Sequence, residues 1–310
     1  MTWARISDAA PLPDAAVTPS PGNNSRNAAM CNAMSVDVED FFQVQAFANV
    51  ISRDDWPLWP CRIERNMDLV LRLLADAGAR ATFFTLGWIA ERYPEIVRSI
   101  VAQGHELASH GYAHVPITAQ TPDEFRADIR KARQILEQIG QVEVKGYRAA
   151  TFSMTKRTAW AFDILAEEGH AYSSSIYPIR HDLYGIPDAP RFAHRVGSGP
   201  LLEIPMSTVA LFGRNLPCSG GGYFRLLPYS VSAAALRRFN RRDGRPGVFY
   251  FHPWEIDPDQ PRVPRVPWRN RVRHYVNLSR MEAKLRRLLR DFAWDRLDRV
   301  FLRPAEAREP

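Results

Sequence analysis

The sequence predicts an α/β fold, a distorted seven-stranded (β/α) barrel, on three observations. From Asn32 onward, seven short runs rich in apolar, β-branched or aromatic residues alternate with amphipathic segments. This alternation is the pattern of strands joined by helical crossovers, which build a parallel and nearly closed sheet. Polar residues finish several of the runs, so one rim of such a barrel gathers Asp37, Glu39, Asp40, His110, Arg148 and His252.

Taken in order, residues 1–31 are dominated by Ala, Pro, Ser and Asn and read as a disordered extension, with Met30 or Met34 as an alternative start. The barrel is expected over 32–260, with strands at Ala33–Val38, Ala81–Leu86, Glu106–Ser109, Val144–Arg148, Ala171–Ile176, Leu201–Met206 and Val248–His252. A helix is expected from Ile63 to about Asp76, with Met67, Val70, Leu71 and Leu74 inward and Gly78 just past its end. A second begins after Thr121: Pro122 suits the first turn, Glu124 completes a capping box, and Phe125, Ile129, Ala132, Leu136 and Ile139 form an apolar stripe. Residues 261–310 form a basic C-terminal extension packed on the barrel, with a Pro-rich connection over Pro253–Pro267 and a last helix from Ser279 to about Phe292.

The 310 residues suffice for a large core, and no apolar run approaches the roughly 20 residues needed to span a bilayer. The first 33 residues lack a secretory signal, so the chemistry is expected in the cytoplasm. The three cysteines, Cys31, Cys61 and Cys218, are odd in number and far apart, which argues against a disulfide framework. The net charge of +7 is concentrated at Arg237, Arg238, Arg241, Arg242 and Arg245 and again from Arg262 to Arg290. Arginines spaced this way among leucines read first as a solvated helix face. No nucleic-acid-binding module accompanies them, so a nucleic-acid partner is not expected; the inner face of a membrane is the other candidate partner for the arginine-rich end.

Two constellations carry chemistry. His110-Gly-Tyr-Ala-His114 sets two imidazoles four residues apart, a spacing that converges on one ion if the segment takes a helical turn. Ser35-Val-Asp-Val-Glu-Asp40 ends an apolar strand in three carboxylates, of which alternation sends Asp37 and Glu39 to one side. Crowded like charges call for a cation or an arginine. A carboxylate and two histidines leave coordination positions open, as a hydrolytic metal centre requires.

With these residues in view, the chain resembles the polysaccharide deacetylase superfamily, the carbohydrate esterases with a NodB-homology domain. The resemblance covers roughly Ala33 to Phe301 and implies the barrel of that family. It rests on Ser35-Val-Asp37, the His110/His114 pair, Gly146-Tyr-Arg148-Ala-Ala-Thr-Phe-Ser153, Tyr172-Ser-Ser-Ser-Ile-Tyr-Pro178 and Val248-Phe-Tyr-Phe-His252. Val38, Ala150 and Ser173 depart from it, standing where an aspartate, a proline and an acidic residue are usual. The Asp-Val-Glu-Asp-Phe-Phe start, the Gly220-Gly-Gly-Tyr-Phe-Arg-Leu-Leu-Pro228 loop and the basic tail resemble an intracellular branch associated with exopolysaccharide and PEP-CTERM/exosortase loci.

The resemblance implies that Asp37 is the general base, that Arg148 orients it, and that His252 is the general acid. It implies a divalent metal on His110, His114 and one carboxylate, Glu39 by strand alternation or Asp40 as the alternative. Zinc suits that donor set, with Co2+, Ni2+, Mn2+ and Fe2+ also compatible. The implied reaction removes N-acetyl groups from a polysaccharide or its glycan precursor, with Trp254, Tyr147 and Gly221 as candidate substrate contacts. Two other readings remain open at this stage: hydrolysis of another non-peptide C–N bond, as in allantoinase-like members, and a catalytically decayed glycan-binding scaffold.

Overall fold

The computed structural model describes residues 30–182 and 184–302. The extension expected over residues 1–31 falls, but for its last two residues, outside them. Eleven strands are present in these segments: β1 (Cys31–Val38), β2 (Thr82–Thr85), β3 (Glu106–Ser109), β4 (Gly146–Tyr147), β5 (Tyr172–Ser173), β6 (His194–Arg195), β7 (Leu202–Glu203), β8 (Thr208–Leu211), β9 (Arg214–Pro217), β10 (Val248–Phe251) and β11 (Ala293–Asp295).

Nine of them form one sheet in the order β10-β1-β2-β3-β4-β5-β7-β6, with β11 paired to the start of β1. From β10 to β7 every pairing is parallel. These seven parallel strands are the seven runs picked out by hydrophobic pattern, and they wrap into a curled half-barrel. Only β6 runs antiparallel, against β7, and β8 and β9 make a separate hairpin. From Asn32 to Val38, β1 is buried on both faces, as expected of an interior parallel strand covered by helices.

The helices follow from local chemistry. Ile63–Asp76 buries Met67, Val70, Leu71 and Leu74 and hands the chain on through Gly78 at φ +61°, the left-handed value that favours glycine after a helix end. Pro122–Gly140 starts from a complete capping box: Thr121 Oγ1 accepts from the Glu124 amide, and Glu124 Oε2 accepts from the Thr121 amide at 2.8 Å. Its stripe of Phe125, Ile129, Ala132 and Leu136 is fully buried. Leu278–Asp291 lies within one residue of expectation and buries Met281, Leu285 and Leu288 in the same core as Met34, Val36 and Phe249. The Pro-rich connection leads into an additional helix at Trp268–Tyr275.

One local expectation is corrected. His110 to Val115 is not a helical turn but an irregular loop, in which Gly111 (φ +75°) and His114 (φ +51°) take left-handed conformations. The Asp128 carboxylate enforces this path, accepting from the Tyr112 amide at 3.1 Å and lying against Gly111, where a Cβ would meet its Oδ2 at 2.7 Å.

Candidate active site

The C-terminal ends of β1, β3, β4 and β10 bring Asp37, Glu39, His110, His114, Arg148 and His252 together. Asp37 is the penultimate residue of β1. Arg148, with no solvent exposure, donates from Nη1 to Asp37 Oδ1 at 2.6 Å and to Ser35 Oγ at 2.9 Å. Its Nε and Nη2 go to the carbonyl and hydroxyl of Ser174, both at 3.0 Å, so the guanidinium fork is fixed on both sides. Phe84 packs under the guanidinium carbon at 4.1 Å.

Among the described residues, Glu39, His110 and His114 form one buried group whose ligand-type atoms lie within 4.8 Å of one another. Glu39 Oε2 is 3.0 Å from His114 Nε2. The His110 Nδ1 lies 2.9 Å from the Arg148 carbonyl, which fixes the proton there and leaves Nε2 free to bind an electrophile. Burial drives both imidazoles toward the neutral form, His114 strongly, with His110 and His252 opposing any charge on it. Burial also pushes the Glu39 carboxyl up to about 7 despite the nearby His252, and Asp37 adds to the rise. A buried carboxylate among neutral imidazoles, with no arginine of its own, is a donor set that suits a divalent cation.

His252 faces the same group, with Nε2 3.3 Å from Glu39 Oε1 and 3.9 Å from Asp37 Oδ2, and keeps 19% of its side chain exposed. Burial opposes its charge, but Glu39, Glu255 and Asp37 together raise its pKa to about 9. It is therefore a proton carrier beside two carboxylates and open to solvent on one side.

The structure separates the two carboxylates that the sequence left as alternatives. Asp40 turns away to cap the turn Phe41–Gln43: Oδ1 accepts from the Phe41 amide at 2.7 Å, and Oδ2 from the Arg62 amide at 2.5 Å and the Cys61 thiol at 3.1 Å. Glu39 is the one that meets the histidines.

The three candidate substrate contacts have other partners. Tyr147 points into the core between Phe125 and His170, because its neighbour Arg148 takes the rim. Trp254 is 5% exposed and therefore no open sugar platform; it stacks on His274 at 4.1 Å and on His252 at 5.2 Å, and its Nε1 donates to Glu39 Oε1 at 3.4 Å. Gly221 abuts the Glu255 carboxylate, where a Cβ would lie 1.6 Å from Oε2, so its smallness makes room for that side chain.

That carboxylate belongs to a support that sequence reasoning missed. Glu255, 1% exposed, lies between His252 Nδ1 (3.7 Å) and Arg225 Nε (3.2 Å). Arg225 also donates to the carbonyls of His274, Val276 and Arg273. Glu255 stands three residues after a histidine already singled out, but nothing local marks Arg225, thirty residues away, as its partner. A second missed acid is Glu203: β5–β7 register sets it beside Ser173, and its Oε1 accepts from the Ser175 and Ile176 amides, both at 2.8 Å. A carboxylate from the next strand thus occupies the neighbourhood where residue 173 lacks one.

Comparison with known proteins agrees with this architecture. The family described as polysaccharide deacetylase matches residues 49–167, and a domain of unknown function, DUF3473, matches 174–302. Asp37 and Glu39 precede the first match, His110, His114 and Arg148 lie in it, and His252 lies in the second. A peptidoglycan-N-acetylglucosamine deacetylase of Bacillus cereus is 37% identical over 70 residues, 23% of this chain and 26% of that protein. A chitooligosaccharide deacetylase of Rhizobium leguminosarum bv. trifolii is 30% identical over 103 residues, 33% of this chain and 45% of that protein. The chain thus spans less than half the length of either relative. A crystal structure from Mycobacterium smegmatis, provisionally described as a polysaccharide deacetylase, has the same fold at TM-score 0.55 and 21% identity, over 89% of this chain and 90% of that one.

Proposed function

Because the chain belongs to the polysaccharide deacetylase superfamily, we propose that it hydrolyses N-acetyl groups of a polysaccharide or its glycan precursor, in exopolysaccharide biosynthesis. The observation that carries this reading is the buried Glu39–His110–His114 group, with Asp37 and His252 beside it.

In this reading Glu39, His110 and His114 hold a divalent metal, zinc first by the softness of two imidazoles and one carboxylate. Such an ion supplies Lewis acidity toward a carbonyl oxygen and toward water. Asp37, held by Arg148, accepts the proton of the attacking water. His252 donates a proton to the sugar nitrogen, turning it into a competent leaving amine, and acetate departs. The 19% exposure of His252 suits contact with an incoming glycan, whereas the buried Arg148 and Trp254 work by holding Asp37, Glu39 and His252 in place.

The test is acetate release from N-acetylated oligosaccharides by protein supplied with a divalent metal, alongside His110→Ala and Asp37→Asn variants. Release that needs metal and is lost in both variants is expected. Absence of release, with metal held stoichiometrically at His110, would turn the assignment to a different C–N substrate.

A further inference from the structure

We propose that the outer face of the helix Trp268–Tyr275 docks the protein on an anionic lipid bilayer, with the catalytic rim held at the lipid surface. The helix is sharply two-sided. Its inner face carries Asn270, which donates to the Ala46 carbonyl at 2.9 Å, and His274, which is buried and stacked on Trp254. Its outer face carries Trp268 and Val272, one turn apart and 69% and 53% exposed. Helical geometry places Arg269 and Arg271 on opposite flanks of that apolar pair, and both are exposed.

The segment that carries it has charge of one sign, and Asp182 is an acid from elsewhere in the chain that pairs with one of its arginines, Arg273. From Gln260 to Met281 there is no Asp or Glu, while Arg262, Arg265, Arg269, Arg271, Arg273 and Arg280 are all exposed. Leu226 and Leu227 are also exposed, next to the Arg225 that grips the carbonyls of Arg273, His274 and Val276. An aromatic and an aliphatic side chain between flanking arginines is the arrangement that inserts at a lipid headgroup boundary. A soluble polyanion would use the arginines but give no reason for Val272, Leu226 and Leu227 to face solvent.

The helix is also tied to the catalytic rim. Asn270 reaches the loop after β1, Arg273 pairs with Asp182 in the loop after β5, and His274 is separated from Glu39 only by Trp254. Docking therefore keeps the rim that carries the site close to the membrane surface. That geometry suits a glycan attached to lipid, a substrate class that rests on the deacetylase reading; the docking itself does not.

The experiment is flotation of the full chain with vesicles of phosphatidylcholine, with or without phosphatidylglycerol, at low and physiological salt. Binding is expected only with phosphatidylglycerol and should weaken as salt rises. Trp268→Ser with Val272→Ser should lower the partition about tenfold. Arg269→Glu or Arg271→Glu should each lower it about fivefold. Arg241→Glu with Arg242→Glu, exposed arginines on a different element, should change it less than about twofold. Failure to float at low salt overturns the proposal, as does equal loss in the Arg241/Arg242 variant. So does a result in which the helix variants lose affinity for a soluble acidic polysaccharide but not for vesicles. Acetate release from a soluble oligosaccharide should be unchanged in Trp268→Ser. If vesicles bind but no acetate is released, only the proposed activity falls; release without vesicle binding overturns only the docking.

Discussion

Arg148 and Asp37 make a buried ion pair at 2.6 Å, and every nitrogen of that guanidinium is bound either to Asp37 and Ser35 or to Ser174. Removing one partner leaves the other charged, buried and alone. Arg148→Met should therefore cost about 3–5 kcal/mol of stability and abolish acetate release. Urea unfolding checks the first effect. The double variant Asp37→Asn/Arg148→Met should recover at least half of the lost stability; if it is no more stable than Arg148→Met, the pair is not the cause.

The indole of Trp254 holds Glu39 from behind, so its effect on metal can be separated from its packing. Trp254→Phe keeps an aromatic face against His252 and His274 but removes the N–H to Glu39. Loss of such an outer partner should weaken divalent-metal affinity about 10–100-fold, and Glu39→Gln should weaken it further. Equilibrium dialysis with metal analysis reads both. Equal affinity in Glu39→Gln and the parent would remove Glu39 from the ligand set.

Gly221 gives a steric test of the Glu255 support. A methyl group there would overlap the carboxylate, so Gly221→Ala must displace Glu255 from between His252 and Arg225. Overpacking of this kind costs about 1–3 kcal/mol. The expected result is a lowered thermal midpoint with acetate release reduced further than the residual folding explains. Gly222→Ala, where a Cβ meets nothing within 4 Å, is the control and should behave as the parent.

His105 should make the protein acid-sensitive. The ring is buried, its Nδ1 accepts from the Ala81 amide at 3.2 Å, and burial with Arg80 and Arg296 nearby lowers its pKa to about 4. In the unfolded chain a histidine titrates near 6.5. The neutral ring's contribution is complete above that value and is lost as pH falls from about 6.5 to about 4, at up to about 1.4 kcal/mol per pH unit. Urea midpoints of the parent and His105→Leu at pH 7, 5 and 4 test this: the gap between them should narrow or reverse on acidification. A gap independent of pH would refute it.

How much of this was legible in the sequence depended on how locally each feature is encoded. The seven parallel strands and the helix after Thr121 were readable because hydrophobic period and capping chemistry act within a few residues. Strands such as β6 and β11, two and three residues long, have no period to read, and only their neighbours across the sheet define them. His110 and His114 did converge, but through left-handed loop residues, since a spacing of four is shared by a helical turn and by this loop. Strand alternation favoured Glu39 over Asp40 in advance. The burial of Trp254 could not be foreseen, because an aromatic residue reads alike whether it lines a cleft or braces a carboxylate. Glu203 and Arg225 were invisible for the same reason that β6 was: their partners are remote in sequence.

The strand that carries Asp37 also bears on how the chain comes to be folded. β1 is paired on one side with β2, but its other partners, β10 and β11, arrive from residues 248–251 and 293–295, and the Ser35 hydroxyl bonds a carbonyl 214 positions away. Contacts of such long sequence separation carry a large loop-closure cost before they return any energy. A nascent chain emerging from the ribosome therefore presents β1 and β2 long before β10 and β11 exist, leaving the other edge of β1 unpaired. The rim that carries Asp37 and His252 is thus completed only when β10 arrives, and the exposed edge of β1 is where chaperone capture or misassembly would begin.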